Sequence, residues 1–146
     1  MKWITRENAH VDRIACPWLI KRFIDADAQF LFVRADEVST TASSENAIPF
    51  DVPGVELGHA DGRCSFESIM LKYGLGTDPA LTLLAKIVHA ADVHEDLSTA
   101  AEGAGLKAIA HGFALLHGTD DQKKLCLEEP LYDALYRWCQ HRTNSK

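Results

Sequence analysis

The chain has 146 residues, 47% of them hydrophobic and 25% charged, with a formal net charge of −6. That size and composition suit one globular domain with its own apolar core, and the acidic balance without a basic stripe argues against a nucleic-acid groove. No apolar run approaches membrane-spanning length and Met1 to Asn8 lacks an apolar leader segment, so no membrane partner and a cytoplasmic location are expected.

Lys2 to Thr5 reads as a short first strand. Pro17 fits the first turn of a following helix, whose apolar face is formed by Ile14, Leu19, Ile20, Phe23 and Ile24. Gln29 to Val33 is a compact β-type run, so the chain opens strand, helix, strand, long enough for a right-handed crossover between parallel strands. Arg34 to Asn46 is polar and rich in Ser and Thr, a loop or a frayed helix. Ala47 to Phe50 and Val55 to Leu57 look like two short strands around the Pro53-Gly54 turn.

From Ser65 onward the pattern turns helical. Ser65 is a good N-cap, Phe66, Ile69, Met70 and Tyr73 form a buried face, and Gly74 ends the segment. Asp78-Pro79 opens the next helix, with Leu81, Leu84, Ala85 and Val88 at helical spacing. Thr99 with Glu102 predicts a capping box for a helix running to about His117, stopped by Gly118. Glu129-Pro130 is read as the start of a last amphipathic helix through Cys139. The expected fold is α/β: a small N-terminal sheet with a βαβ-type start, then a mainly helical C-terminal half, in a single domain over residues 1–146.

The four cysteines stand far apart with no CxxC pair, which excludes a zinc knuckle or thioredoxin-type motif. Cys139 shares an apolar stripe with Leu131, Leu135 and Trp138, so it is expected in the core, and Cys126 is read the same way. Cys16 and Cys64 differ. Each stands near arginine at a helix start, the setting that lowers a thiol pKa.

The richest stretch runs from Asp51 to Glu67, with His59, Arg63, Cys64 and Glu67 around a glycine-rich turn between a strand and a helix. A histidine at a strand end suits metal binding or proton transfer. Glu67, in the first helical turn, complements the helix dipole or, if the turn folds back, joins His59 as a ligand. Asp92 continues the core-facing stripe of Leu84 and Val88, and a buried carboxylate needs a partner or a metal; otherwise it caps the next segment. His89 and His94 flank it. His59, Glu67 and Asp92 together would form a three-ligand site for a divalent transition metal, namely iron, manganese or zinc. Asp12 and Arg13 stand at the first helix entrance. There they either cap the helix and form an ion pair, or serve a small anion together with the free N–H groups of the helix start, with Arg63 approaching from the other side.

With Trp3 to Arg6, Asp12-Arg13-Ile14-Ala15-Cys16-Pro17-Trp18, Phe30 to Val33, Pro49 to Glu56, the His59 turn with Cys64-Ser65-Phe66-Glu67, Ala90-Ala91-Asp92 and Leu131 to Tyr136 assembled, the chain resembles the chromate-resistance ChrB domain family, specifically its C-terminal domain. The resemblance implies a link to chromate and oxidative-metal stress, and its matched candidates are Asp12, Arg13, Cys16, His59, Cys64, Glu67 and Asp92. Some members of the family look like chromate-responsive regulators with an extra N-terminal domain, and others join this domain to a rhodanese-like sulfurtransferase. This chain has neither extension, so DNA control by it alone is not expected. Three functions follow as expectations. One is a metal-binding protein or metal-dependent enzyme, with Asp12, Arg13 and Cys64 as the reacting groups beside the metal; the second is a chromate-binding or thiol-based sensor; the third is a scaffold without catalysis.

Overall fold

The computed structural model describes residues 1–144. Its first strand, β1 (Lys2–Arg6), lies at the centre of a three-stranded parallel sheet between β2 (Gln29–Val33) and β3 (Ile48–Pro49). Trp3 aligns with Phe30 and with Ile48, and Ile4 with Leu31 and Pro49. Because side chains alternate across a strand, neighbouring residues serve opposite faces. Trp3 enters the main core with Phe30, Phe32 and Phe50, whereas Ile4 enters a small second core with Leu31, Val33 and Val38. Helix α1 (Asp12–Phe23) covers the first face, and α2 (Val38–Glu45), in the stretch read as a loop or frayed helix, contributes Val38 to the second. The βαβ opening is therefore as expected.

The helical half comprises α3 (Ser65–Lys72), α4 (Pro79–Asp92), α5 (Gly103–His117) and α6 (Asp121–Asn144). Helix α4 is the hub, packing on α1, α3, α5 and α6. Asp78 caps it as its Asp-Pro sequence predicts, accepting N–H bonds from Ala80 at 2.9 Å and Leu81 at 3.2 Å. Leu81, Leu84, Ile87 and Val88 on α4 are fully buried. Complete burial of one such side chain stabilises a fold by about 1.5–3 kcal/mol. Gly103 opens α5 against α4, where an added Cβ would stand 2.7 Å from the Ala90 Cβ. Close helix approach requires glycine there.

Several element boundaries differ from the sequence pattern. Helix α1 begins at Asp12, so Pro17 lies inside it, with no N–H to give to the preceding turn. Helix α6 starts at Asp121, well before Pro130, because Asp120 caps it by accepting the Lys123 N–H at 3.2 Å. Val55 to Leu57 is a turn rather than a strand. Asp51 N–H bonds to the Leu57 carbonyl at 3.0 Å and Gly58 N–H to the Val55 carbonyl at 3.2 Å, closing a loop on itself. The Thr99 hydroxyl bonds to the Asp96 carbonyl instead of capping α5. Cys139 is buried as expected, but Cys126 is exposed on α6.

Candidate functional site

Parallel strands with helices on both faces leave a crevice beyond the strand ends where successive connections diverge. Here β1 runs on into Asp12, β3 runs on into Asp51, and the loop from Asp51 returns to place His59 over both. The last residue of α4, Asp92, closes the group. His59 Nε2 stands 3.0 Å from Asp92 Oδ2, 3.4 Å from Asp51 Oδ1 and 3.5 Å from Asp12 Oδ2. Three carboxylates from three separate segments thus converge on one imidazole nitrogen. Ligand atoms of Asp12, His59 and Asp92 all lie within 4.8 Å of one another, close enough to share a metal ion.

Asp12 is buried, and it caps a helix other than its own. Its carboxylate accepts the Ser65 N–H at 2.7 Å and the Phe66 N–H at 3.2 Å, which are donors at the start of α3. Asp51 accepts the Ser65 hydroxyl at 2.6 Å and takes a backbone φ of 49°, a conformation that aspartate tolerates better than most residues. Burial raises the Asp12 carboxyl above its ordinary value. Burial first, and then the charges of Asp12 and Asp51, push Asp92 up to about 7. His59 moves the other way in charge preference: hydrogen bonds to Asp12 and Asp51 raise it to about 10, so it is an imidazolium at neutral pH. That cation partly offsets the three carboxylates.

A cavity of about 580 Å³ opens over this group. Arg6, His10 and Arg13 also line it, and the Nε atoms of both arginines are buried without a hydrogen-bond partner. Arg13 donates from NH2 to the Asn8 carbonyl at 2.9 Å and stands 3.9 Å from Asp51. Burial lowers its pKa, with the neighbouring charge of Arg6 acting in the same direction. The cavity therefore combines three carboxylates and His59 with two guanidinium groups.

The structure brings together Asp12, Arg13, His59 and Asp92 from the residues singled out in sequence. It places Glu67 elsewhere. Glu67 accepts the Cys64 N–H at 2.9 Å and contacts His89 Nδ1, so the fold-back that would set it beside His59 does not occur. Arg63 lines a different cavity with Glu67 and Lys86, away from Arg13. At the start of α3 the N–H groups are taken, by Asp12 for Ser65 and Phe66 and by Glu67 for Cys64. The lowered thiol pKa expected for Cys16 and Cys64 is also corrected. Both are fully buried, and desolvation together with the Asp12 charge pushes each thiol far up. His94 lies beside Lys107, outside the cavity.

Asp51, Arg6 and His10 belong to the cavity but were given no role from sequence. A positive-φ aspartate beside Pro-Phe reads locally as a turn residue, and Arg6 reads as a strand end. Only the parallel pairing of β1 with β3 brings them together.

Comparison with known proteins matches residues 3–139 to the model of "ChrB, C-terminal domain". A protein of Cupriavidus metallidurans named Protein ChrB is 36% identical over 111 residues, covering 76% of this chain and 32% of that relative. The chain thus spans a small part of the relative's length. No solved structure matches. Among the described residues, no helix is long and apolar enough to cross a membrane. The matched region contains Asp12, Arg13, His59 and Asp92, and on that match the chain belongs to the ChrB C-terminal domain family.

Proposed function

We propose that this protein binds a divalent transition metal, iron, manganese or zinc, through Asp12, His59 and Asp92, and serves resistance to chromate or related metal stress. The observation that carries this reading is the convergence of Asp12, Asp51 and Asp92 on His59 Nε2 at 3.0–3.5 Å, in a cavity open to small molecules. Mixed carboxylate and imidazole donors suit these ions. A bound cation would take over the place of the imidazolium proton among the carboxylates, so binding releases protons. Ser65 and the α3 N–H groups hold Asp51 and Asp12 in position, as the outer partners of metal ligands do. Arg13, beside the ligands, would then position an oxyanion, which is the arrangement a metal-dependent reaction on such an anion requires.

Calorimetric titration of the metal-free chain with manganese tests this directly. The parent binds one ion at this site, and His59→Ala weakens binding by at least about 10-fold while circular dichroism stays unchanged. Equal affinity in parent and variant would remove the site from consideration.

A second reading has its own support, the buried and unpartnered Nε atoms of Arg6 and Arg13 in the same cavity. Paired guanidinium groups favour a dianion such as chromate, by charge-assisted hydrogen bonds. On this reading chromate binds without metal, and Arg13→Ala lowers its affinity about 10-fold or more, the equivalent of one hydrogen bond to a charged group. Chromate binding that requires metal, or that ignores Arg13, would contradict it.

A further inference from the structure

A second donor cluster gathers at the start of α3, and one of its members, Glu67, lines a different cavity. Cys64 is the N-cap of α3, Glu67 stands in its first turn, and His89 stands in the last turn of α4. One ligand atom from each lies within 4.8 Å of the other two. The Cys64 sulfur is buried and accepts the Glu67 N–H. Glu67 and His89 are less enclosed, with 30% and 14% of their side-chain surface exposed, and Glu67 lines a cavity of about 860 Å³ that offers an ion a way in.

The outer side of His89 is the second observation. Its Nε2 stands 2.7 Å from Asp96 Oδ2 in the short helical turn His94–Thr99, while Nδ1 faces Glu67. An imidazole held by a carboxylate on one nitrogen presents the other in a fixed direction, the usual setting of a metal-bound histidine. Sulfur, nitrogen and oxygen donors together select a borderline-soft ion, unlike the oxygen-rich set around His59.

We propose that Cys64, Glu67 and His89 form a second metal site, for a thiophilic divalent ion of the zinc class, with Asp96 orienting His89. It shares no ligand with the Asp12–His59–Asp92 group and stands whether or not that group binds metal. On binding, the Cys64 S–H bond breaks and its proton leaves to solvent as the metal–thiolate bond forms. The proton held between His89 Nδ1 and Glu67 leaves likewise, with no change of oxidation state. Without the ion, the same residues form a capping box and a histidine–carboxylate bridge.

Cobalt(II) titration of the intact chain, followed by zinc displacement, provides the test. The parent develops a near-ultraviolet thiolate-to-cobalt charge-transfer band that zinc abolishes. Cys64→Ser, whose serine is a favourable N-cap, loses the band; His89→Gln weakens cobalt binding sharply and serves as the second variant if Cys64→Ser does not fold. Asp96→Asn keeps the band but binds zinc about 10-fold more weakly. Cys126→Ser and Asp92→Ala keep it unchanged, which separates this site from the exposed thiol and from the first cluster. A parent without the band at saturating cobalt, or a band that persists in Cys64→Ser, overturns the proposal. So does loss of the band in Asp92→Ala.

Discussion

Asp12 joins two roles in one carboxylate: it caps α3 through Ser65 and Phe66 and reaches His59 on the cavity side. Replacing it with alanine leaves two buried N–H groups without an acceptor, each costing about 1–3 kcal/mol. Asp12→Ala is therefore expected to lower the unfolding free energy by at least about 2 kcal/mol in denaturant titration, whereas Asp92→Ala, at the cavity edge, changes it far less. Similar losses for the two would contradict the dual role. Glu128 offers a pH-dependent test away from the cavity. It is buried on α6, its Oε1 has no partner, and burial raises its carboxyl from 4.5 to about 8. Between those values the folded chain holds a proton that the unfolded chain has released, so stability falls as pH rises through that window. Glu128→Gln removes this ionisation and should recover about 2 kcal/mol or more near pH 8.5 relative to pH 5. Parallel pH profiles of parent and variant would exclude a protonated Glu128. Asp51 shows why part of the site was hidden in the sequence. Its role depends on a distant histidine and on Ser65, and its own neighbourhood carries only a turn signal.

At the scale of elements, the loop between β1 and α1 is fastened by a buried ion pair. Asp121 accepts the Asn8 and Ala9 N–H groups at 3.0 and 2.8 Å, and Lys124 Nζ donates to Asp121 and to the Ala9 and Gly118 carbonyls at 2.8–2.9 Å. Lys124 is completely buried. Lys124→Met would leave Asp121 charged and unpaired in the core, at a cost of about 3–5 kcal/mol in unfolding measurements; a loss under about 1 kcal/mol would show that the loop is held by other contacts. This connection sets Arg13 and Asp12 on the cavity rim. The elements themselves were largely legible. The buried centre of β1, the apolar run of β2 and the Asp-Pro start of α4 are local signals, and local physics decided them. The misplaced starts of α1 and α6 have a common cause: proline was read as a helix opener, whereas both helices continue through it, in each case beginning at an aspartate. The Val55 to Leu57 segment has strand-like residues, but no open strand edge receives it; β3 is only two residues long and the loop closes on itself.

At the scale of the molecule, a small parallel sheet and one central helix deliver Asp12, Asp51, His59 and Asp92 to a common point from distant parts of the chain. The sequence alone named three of these four residues, because a histidine turn and a carboxylate on an apolar stripe are unusual enough to notice. It grouped His59 and Asp92 with Glu67 as the ligands and set Asp12 beside them as a reacting group, since spacing does not reveal which helix a carboxylate caps. The central claim is that the Asp12–His59–Asp92 group holds a metal ion. Elemental mass spectrometry of the chain purified without chelator or histidine tag, alongside folded Asp92→Ala and Cys64→Ser, tests it most directly. The account predicts that iron, manganese or zinc accompanies the parent and Cys64→Ser at this site and is lost from Asp92→Ala. Metal retained in full by Asp92→Ala, or a parent that stays metal-free after reconstitution with all three ions, would contradict it.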